Sequence, residues 1–394
     1  MYINWTNQDP LQTKEFTNWC RDELFNSQMR RSAALLEYAC DLHLKGLYRS
    51  LDLSRFLKTP KSSPELTREL GFVDSADIAL EAMLMRLANR TTVVTIQCSQ
   101  GGPLFTHAEQ PCDCSMQLEA VRQQLIHNAH GDAIQFLDFG ARYFVESLKE
   151  DPEFMDRILS GRDGRFQQLW FRATNTDPLQ DAHGKMGARW AEMVFKDGRI
   201  LEIGAGTGNG TRHLLHRFAD RNRLEDIHQY IFSDVSLGFI LSTRNALREL
   251  YPEVNIEWRH LDINKPFGAQ KLVPESMDLI FGVNAAHVAS DIVHLLKDCR
   301  TALRPGGRIV FAERVRMNRG EMAPRELTLN LSTYHRTAAI RDPDIRPFHA
   351  YLSPAGWLRA LDAAGFHDAE ILPDLGLLAK HFPNQYAAVV HAQK

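Results

Sequence analysis

"RILEIGAGTGNGTRHLL", residues 199–215, sets Gly204, Gly206, Gly208 and Gly210 between an apolar run and a helix-like segment. A strand-length apolar run, then glycines, then an amphipathic stretch predicts a strand, a tight turn and a helix. Glycine lets the backbone turn sharply and approach a ligand where a Cβ would block it. The spacing departs from the dinucleotide fingerprint, because the third glycine comes early and Glu202 stands two places before Gly204. A carboxylate there repels a pyrophosphate and attracts a cation such as a sulfonium bearing a free ammonium group.

Outward from this loop the chain keeps one rhythm. Apolar runs at 200–203, 230–232, 256–258, 277–283 and 308–312 alternate with helix-length amphipathic segments. Strands alternating with helices predict a doubly wound parallel sheet, whose ligands sit beyond the carboxyl ends of the strands. The strand ends carry acids and amides. "YIFSDVS" puts Asp234 at the end of the second, where a carboxylate accepts ribose hydroxyl protons, with Val235 beside it. "WRHLDINKP" puts Asp262 and Ile263 after the third, and "MDLIFGVNAAHVASDI" ends the fourth at Asn284. "ALRPGGRIVFAER" predicts a Pro-Gly-Gly turn before a fifth strand beginning near Arg308, and "AEILPD" and "YAAVVHAQ" predict the closing strands. His287 follows Asn284 by three places and Glu313 follows the fifth strand run. Adjacent strand ends bring such a pair within hydrogen-bonding reach, as a base and the carboxylate that orients it. The competing reading pairs Glu313 with Arg314 or Arg316.

Glu202-Ile203-Gly204-Ala205-Gly206-Thr207-Gly208 resembles the first motif of class I S-adenosylmethionine-dependent methyltransferases, and Asp234, Asp262 and Asn284 follow in that family's order. "LEIGAGTG", "YIFSDVS", "NAAHVASDI" and "FAE" together look like the C-methyltransferase domains of polyketide synthases, over about residues 165–392. The resemblance implies a Rossmann-like α/β domain that binds S-adenosyl-L-methionine through Glu202, Gly204, Ala205, Gly206, Asp234, Val235, Asp262, Ile263 and Asn284. It implies a His287/Glu313 dyad, no metal, and methylation of the α-carbon of a β-ketoacyl thioester on an acyl carrier protein, in polyketide-type secondary metabolism. O- or N-methylation of a soluble small metabolite stays open, because a histidine deprotonates a hydroxyl by the same physics. A methyltransferase-fold scaffold without methyl transfer is the reading from outside enzymology. The insertion after the fifth strand, with Tyr334, His335, His349 and Tyr351, is where the family builds its acceptor pocket.

Residues 1–175 form an expected helical, partly winged-helix lid or dimerisation region, with 176–394 as the cofactor-binding domain. "SSPELTRELGFVDSADIALEAMLMRLANRTTVVTI" predicts two short helices, capped by Ser62 or Ser63 and by Ser75, before a β-wing turning at Gly101-Gly102. Its outline is weakly similar to the dimer-building segments of small-molecule O-methyltransferases, and it allows a homodimer. The second helix offers only Arg86 and Arg90 to phosphates, too few donors for a recognition helix. "TNTDPLQDAHG", residues 174–184, reads as a polar hinge loop.

Composition fits an ordinary globular chain of 394 residues, and a net charge of −3 gives no general attraction to nucleic acid or anionic membranes. No apolar stretch is long enough to span a bilayer and the first residues lack a secretory pattern, so the expected location is cytoplasmic; with no recognisable carrier or ketosynthase sequence, a free-standing or excised enzyme is expected. The six cysteines are scattered, as reduced thiols are, and Cys112-Asp113-Cys114 has too short a spacing for a zinc pair.

Overall fold

The computed structural model describes residues 10–127, 130–149, 164–318, 320–332, 335–336, 344–346, 350–381 and 387–394. The chain divides into two compact units: residues 27–178 with 318–338, and residues 1–26 with 179–317 and 339–394.

The first unit is mostly helical. Ser62 caps the helix Ser63–Glu69 in a reciprocal box, its hydroxyl facing the Glu65 backbone N–H while the Glu65 carboxylate accepts from the Ser62 N–H at 2.8 Å. The helix Ala76–Arg90 follows, then strands β1 (Val94–Ser99) and β2 (Gly102–His107), paired antiparallel. Lys61 bridges to Phe105 on the edge of this hairpin, so two helices and a wing stand in the order expected. Ser75 corrects the sequence reading: its backbone is already helical and its side chain makes no cap. Arg86 is buried against Glu37 and Asp41, both at 2.7 Å, and Arg90 pairs with Asp41 at 2.8 Å. Both guanidiniums of the would-be recognition helix are therefore engaged with carboxylates inside the unit.

The aromatic residues of the helices Gly131–Leu148 and Arg165–Thr176 form a core, with Phe136 5.9 Å from Trp170 and Phe139 5.7 Å from Phe166, centroid to centroid. Gly140 permits the closest crossing: a Cβ there would lie 2.7 Å from the backbone nitrogen of Thr328. Backbone cannot yield as a side chain can, so Gly140→Ala is expected to destabilise this unit by about 2 kcal/mol, read as a lowered denaturation midpoint. The hinge loop expected at 174–184 is absent. One helix runs to Thr176, Asp177 is extended, and a second helix starts at Pro178 and runs to Val194. Proline suits a first helical position and forces its predecessor out of the helix, so the polar stretch is a helix junction.

The second unit is built on a seven-stranded sheet: β3 (Gly198–Ile203), β4 (Ile227–Asp234), β5 (Ile256–His260), β6 (Met277–Val283), β7 (Leu303–Arg314), β8 (His367–Leu372) and β9 (Ala387–Gln393). Its order is β5-β4-β3-β6-β7-β9-β8, with β3 to β7 parallel and β9 antiparallel to both neighbours. Ile200, Leu201, Ile231, Phe232, Ile280, Phe281, Ile309 and Val310 are all fully buried. Such unbroken apolar runs are what a sheet covered on both faces requires, at about 1.5–3 kcal/mol for each large side chain buried. The fifth parallel strand starts earlier than expected. Leu303 already pairs with Met277 and Arg308 with Leu279, so the Pro-Gly-Gly segment bulges out within β7, with Gly306 at φ 79°.

Candidate active site

Strand order reverses between β3 and β6, and the crevice at such a reversal opens beyond the carboxyl ends of the strands. Glu202, the glycine loop, Asp234, Asp262, Asn284, His287 and Glu313 stand at or just past that end.

The glycine loop leaves β3 through Gly204 at φ 56° and Gly206 at φ 54°, conformations that favour glycine. A Cβ on Gly204 would meet the Ala285 Cβ at 2.6 Å, so this glycine lets the loops after β3 and β6 touch. At Gly206 a Cβ would have no neighbour nearer than 3.9 Å, so the space above it is open for a ligand to approach the backbone. Ala205 N–H donates to the Ser233 carbonyl at 2.9 Å, tying the loop to β4.

Asp234 ends β4 nearly buried, and its carboxylate accepts from Gly206 N–H at 2.9 Å and Ser236 N–H at 2.7 Å. Burial raises its pKa against those hydrogen bonds. Two N–H donors leave a carboxylate with acceptor capacity to spare. Val235 beside it is an apolar side chain 59% exposed. Asp262 accepts from Asn264 N–H at 3.0 Å and meets Lys265 Nζ at 3.2 Å, while the Gln270 amide clamps its backbone at both ends. Ile263 is half-buried next to it. Asn264 Oδ1 accepts from Ser290 N–H at 2.7 Å, linking the loop after β5 to the loop after β6.

Glu202 lies beneath the glycine loop, 1% exposed. Its carboxyl accepts from the Thr211 hydroxyl and from the Tyr230 hydroxyl, the latter at 2.6 Å. Desolvation raises its pKa to about 7, and the two hydroxyls only partly offset it. A carboxyl raised this way holds a proton in the folded chain that the unfolded chain has lost. Its stabilising contribution is complete below about pH 4.5 and disappears as pH rises through 7, a difference of about 3 kcal/mol. Glu202→Gln is expected to flatten the stability profile between pH 5 and 8, with its largest gain over the native chain at the alkaline end. Denaturant titrations at several pH values measure this, and an unchanged slope would refute it.

Asn284 stands at φ 49° just past β6, and its side-chain oxygen accepts from Arg314 N–H at 3.0 Å. Its amide nitrogen is buried with no hydrogen-bond partner, the kind of orphan donor that a bound group satisfies. The next residues make a short 3-10 turn, Ala286–Val288, that carries His287. Glu313, fully buried on β7, accepts from Ala285 N–H at 3.0 Å and Ala286 N–H at 2.8 Å through one oxygen and meets His287 Nδ1 at 2.6 Å through the other. One carboxylate thus fixes both the turn and the ring it presents. Arg314 and Arg316 instead face the Tyr351 ring, at 5.6 and 5.4 Å from its centroid, and Tyr351 lies 4.8 Å from the His287 ring. Tyr334 and His349 lie outside the described residues.

Sequence reasoning missed Thr211 and Tyr230 as partners of Glu202, and placed Tyr351 in the insertion after the fifth strand without an individual role. Thr211 sits one turn into the helix after the loop, which was a usable signal; Tyr230 reads as one more apolar strand residue. No group of His, Cys, Asp and Glu able to hold a metal occurs among the described residues, and all six cysteines are free thiols. None of the described helices is long and apolar enough to cross a membrane.

Residues 201–309 match the methyltransferase domain family. A highly reducing polyketide synthase of Pyrenophora dematioidea is 30% identical over 231 residues, 56% of this chain and 9% of that protein. The chain therefore spans under a tenth of the length of such curated relatives. Among solved structures, the CurJ carbon methyltransferase superposes with a TM-score of 0.73 at 19% identity, over 97% of this chain and 96% of that one. The trans-methyltransferase CalH, solved with S-adenosylhomocysteine, gives 0.58 at 20% identity over 93% and 91%. Residues 201–309 thus carry a methyltransferase domain, and the chain resembles class I S-adenosylmethionine-dependent methyltransferases of the polyketide-synthase type, with the open glycine cradle and the strand-end acids at the cofactor end of that fold.

Proposed function

We propose that the enzyme methylates the α-carbon of a β-ketoacyl thioester presented by an acyl carrier protein, with His287 as base and Glu313 as the group that orients and supports it. The observation that carries this reading is the 2.6 Å contact between His287 Nδ1 and a carboxylate that is itself fixed by two backbone N–H groups. A proton on Nδ1 donated to Glu313 leaves the Nε2 lone pair as the acceptor, and the buried carboxylate stabilises the imidazolium that forms. A carbon flanked by a ketone and a thioester is acidic enough for an imidazole to deprotonate it. Bound S-adenosylmethionine supplies an electrophilic methyl group and a neutral thioether leaving group.

The chain's own part is positioning. The Gly204–Gly206 backbone admits the cofactor, Asp234 accepts its ribose hydroxyls, and Val235 and Ile263 offer apolar faces to the adenine near Asp262. Asn284 offers its amide nitrogen, and Glu202 acts through the loop it underlies. Incubating the enzyme with labelled S-adenosylmethionine and either carrier-bound β-ketothioesters or hydroxylated metabolites, then locating the methyl by mass spectrometry, tests the reading. Methyl on carbon supports it; methyl on oxygen or nitrogen alone overturns it.

A further inference from the structure

Cys112-Asp113-Cys114, in the first unit, supplies none of the groups proposed for methyl transfer. Its two sulfurs are unbonded and 3.7 Å apart. Cys112 is exposed, whereas Cys114 is buried at the N-cap of the helix Ser115–Ile126. The turn that joins them is fixed locally: the Asp113 carboxylate accepts from Ser115 N–H at 2.9 Å, and the Cys114 thiol donates to the Cys112 carbonyl at 3.4 Å. The helix that follows is anchored in turn, with Val121 and Leu125 buried and Arg122 paired with Asp138 at 2.8 Å. Cys114 also borders a cavity of about 370 Å³, lined as well by Leu42, Leu47 and Leu118, so its sulfur has room to turn.

We propose that Cys112 and Cys114 are a reversible dithiol, a modification site at which a small disulfide is reduced while the two sulfurs join. A disulfide bond is about 2 Å long, so the sulfurs need to close by less than the length of one such bond. The pair divides the work by exposure, because an accessible thiolate attacks and a buried thiol is inert until its target is brought to it. The Cys112 thiolate attacks one sulfur of the small disulfide, the bond between that compound's sulfurs breaks, and a thiolate leaves. Cys112 now carries a mixed disulfide. The Cys114 sulfur then gives up its proton, attacks the Cys112 sulfur and expels the second half of the reagent as a thiol. Two protein thiols have lost two electrons and two protons, and one small disulfide has become two thiols. Burial pushes the Cys114 pKa up and the hydrogen bond with Cys112 adds to it. The buried thiol therefore stays protonated until Cys112 has reacted, which fixes the order of the steps. Of the other cysteines, Cys20, Cys40 and Cys299 are buried and Cys98 is exposed, so Cys98 serves as an internal control. None of this depends on which atom accepts the methyl group.

The test uses the reduced full-length chain and glutathione. The chain is equilibrated with glutathione buffers of rising oxidised fraction, blocked with N-ethylmaleimide, digested and read by mass spectrometry. The peptide holding Cys112 and Cys114 is expected to lose two hydrogens and both blocking sites together, while Cys98 goes no further than a glutathione adduct. Two cysteines so near in sequence also meet in an unfolded chain, so the fold has to be shown to contribute. The pair is expected to close at about tenfold less oxidised glutathione in the folded chain than in urea. C112S replaces an exposed residue and is expected to leave Cys114 without glutathione. Glutathione on Cys112 with Cys114 still open to N-ethylmaleimide in the native chain overturns the proposal, as does a pair that closes no more readily folded than in urea. An adduct on Cys114 in C112S, formed as readily as on Cys98, overturns the assignment of Cys112 as the attacking thiol.

Discussion

His287→Ala is expected to lower the rate of methyl transfer about 10³-fold while leaving S-adenosylmethionine affinity within about twofold of the native value. On the proposed mechanism, removing the imidazole deletes the proton acceptor, and it deletes no group that hydrogen-bonds the glycine loop or Asp234. The ring is 6% exposed and packs on Tyr351, so some stability is lost as well, and a thermal melt separates that from the kinetic effect. Glu313→Gln makes an informative contrast. It keeps an acceptor oxygen for the turn at Ala285 and Ala286 but removes the charge opposite the imidazole, and a smaller loss of about 10-fold to 100-fold is expected. Single-turnover rates with calorimetry decide both cases. Native-rate transfer by the alanine variant would remove His287 from the mechanism.

The second large effect belongs to Asp234. Each ribose hydroxyl donating to an ionised acceptor contributes about 1.5–3 kcal/mol, so Asp234→Ala is expected to weaken cofactor binding by about 100-fold or more. The same carboxylate accepts the Gly206 and Ser236 N–H groups, so the variant also removes one of the ties between the glycine loop and β4, leaving the Ala205 N–H bond to Ser233. Asp234→Asn keeps an oxygen for one of these donors and should bind with intermediate affinity. Calorimetry reads the result directly, and unchanged affinity in the alanine variant would show that the ribose lies elsewhere.

How much of this could be read from sequence depended on the range of each interaction. The parallel sheet was readable because strands buried on both faces are unbroken apolar runs, and Met277–Val283 was bounded to the residue. The glycine loop, Asp234, Asp262 and Asn284 were readable as positions because each follows its own strand within a few residues. Partners were harder. Tyr230 and Glu202 are 28 positions apart and meet only because β3 and β4 are adjacent. The approach of Tyr351 to His287 depends on a segment that leaves the sheet after β7 and returns, which no local pattern encodes. Local errors had local causes: Ser75 is a good cap by residue type on a backbone that had already turned helical, and Pro178 marked a helix start inside a polar stretch.

The division of the chain bears on how the protein can be taken apart. Passing along the sequence, one changes unit at 26/27, 178/179, 317/318 and 338/339. Residues 318–338 supply Thr328, against which Gly140 is fitted, yet they are encoded after β7. A gene fragment starting at residue 179 keeps that short return without its helical neighbours, and one ending at residue 178 keeps the neighbours without the return. Neither half can be expressed as a whole unit from one uninterrupted stretch of coding sequence. Recombination that exchanges a single contiguous block would leave both units incomplete, so swaps between related enzymes should carry residues 318–338 together with 27–178.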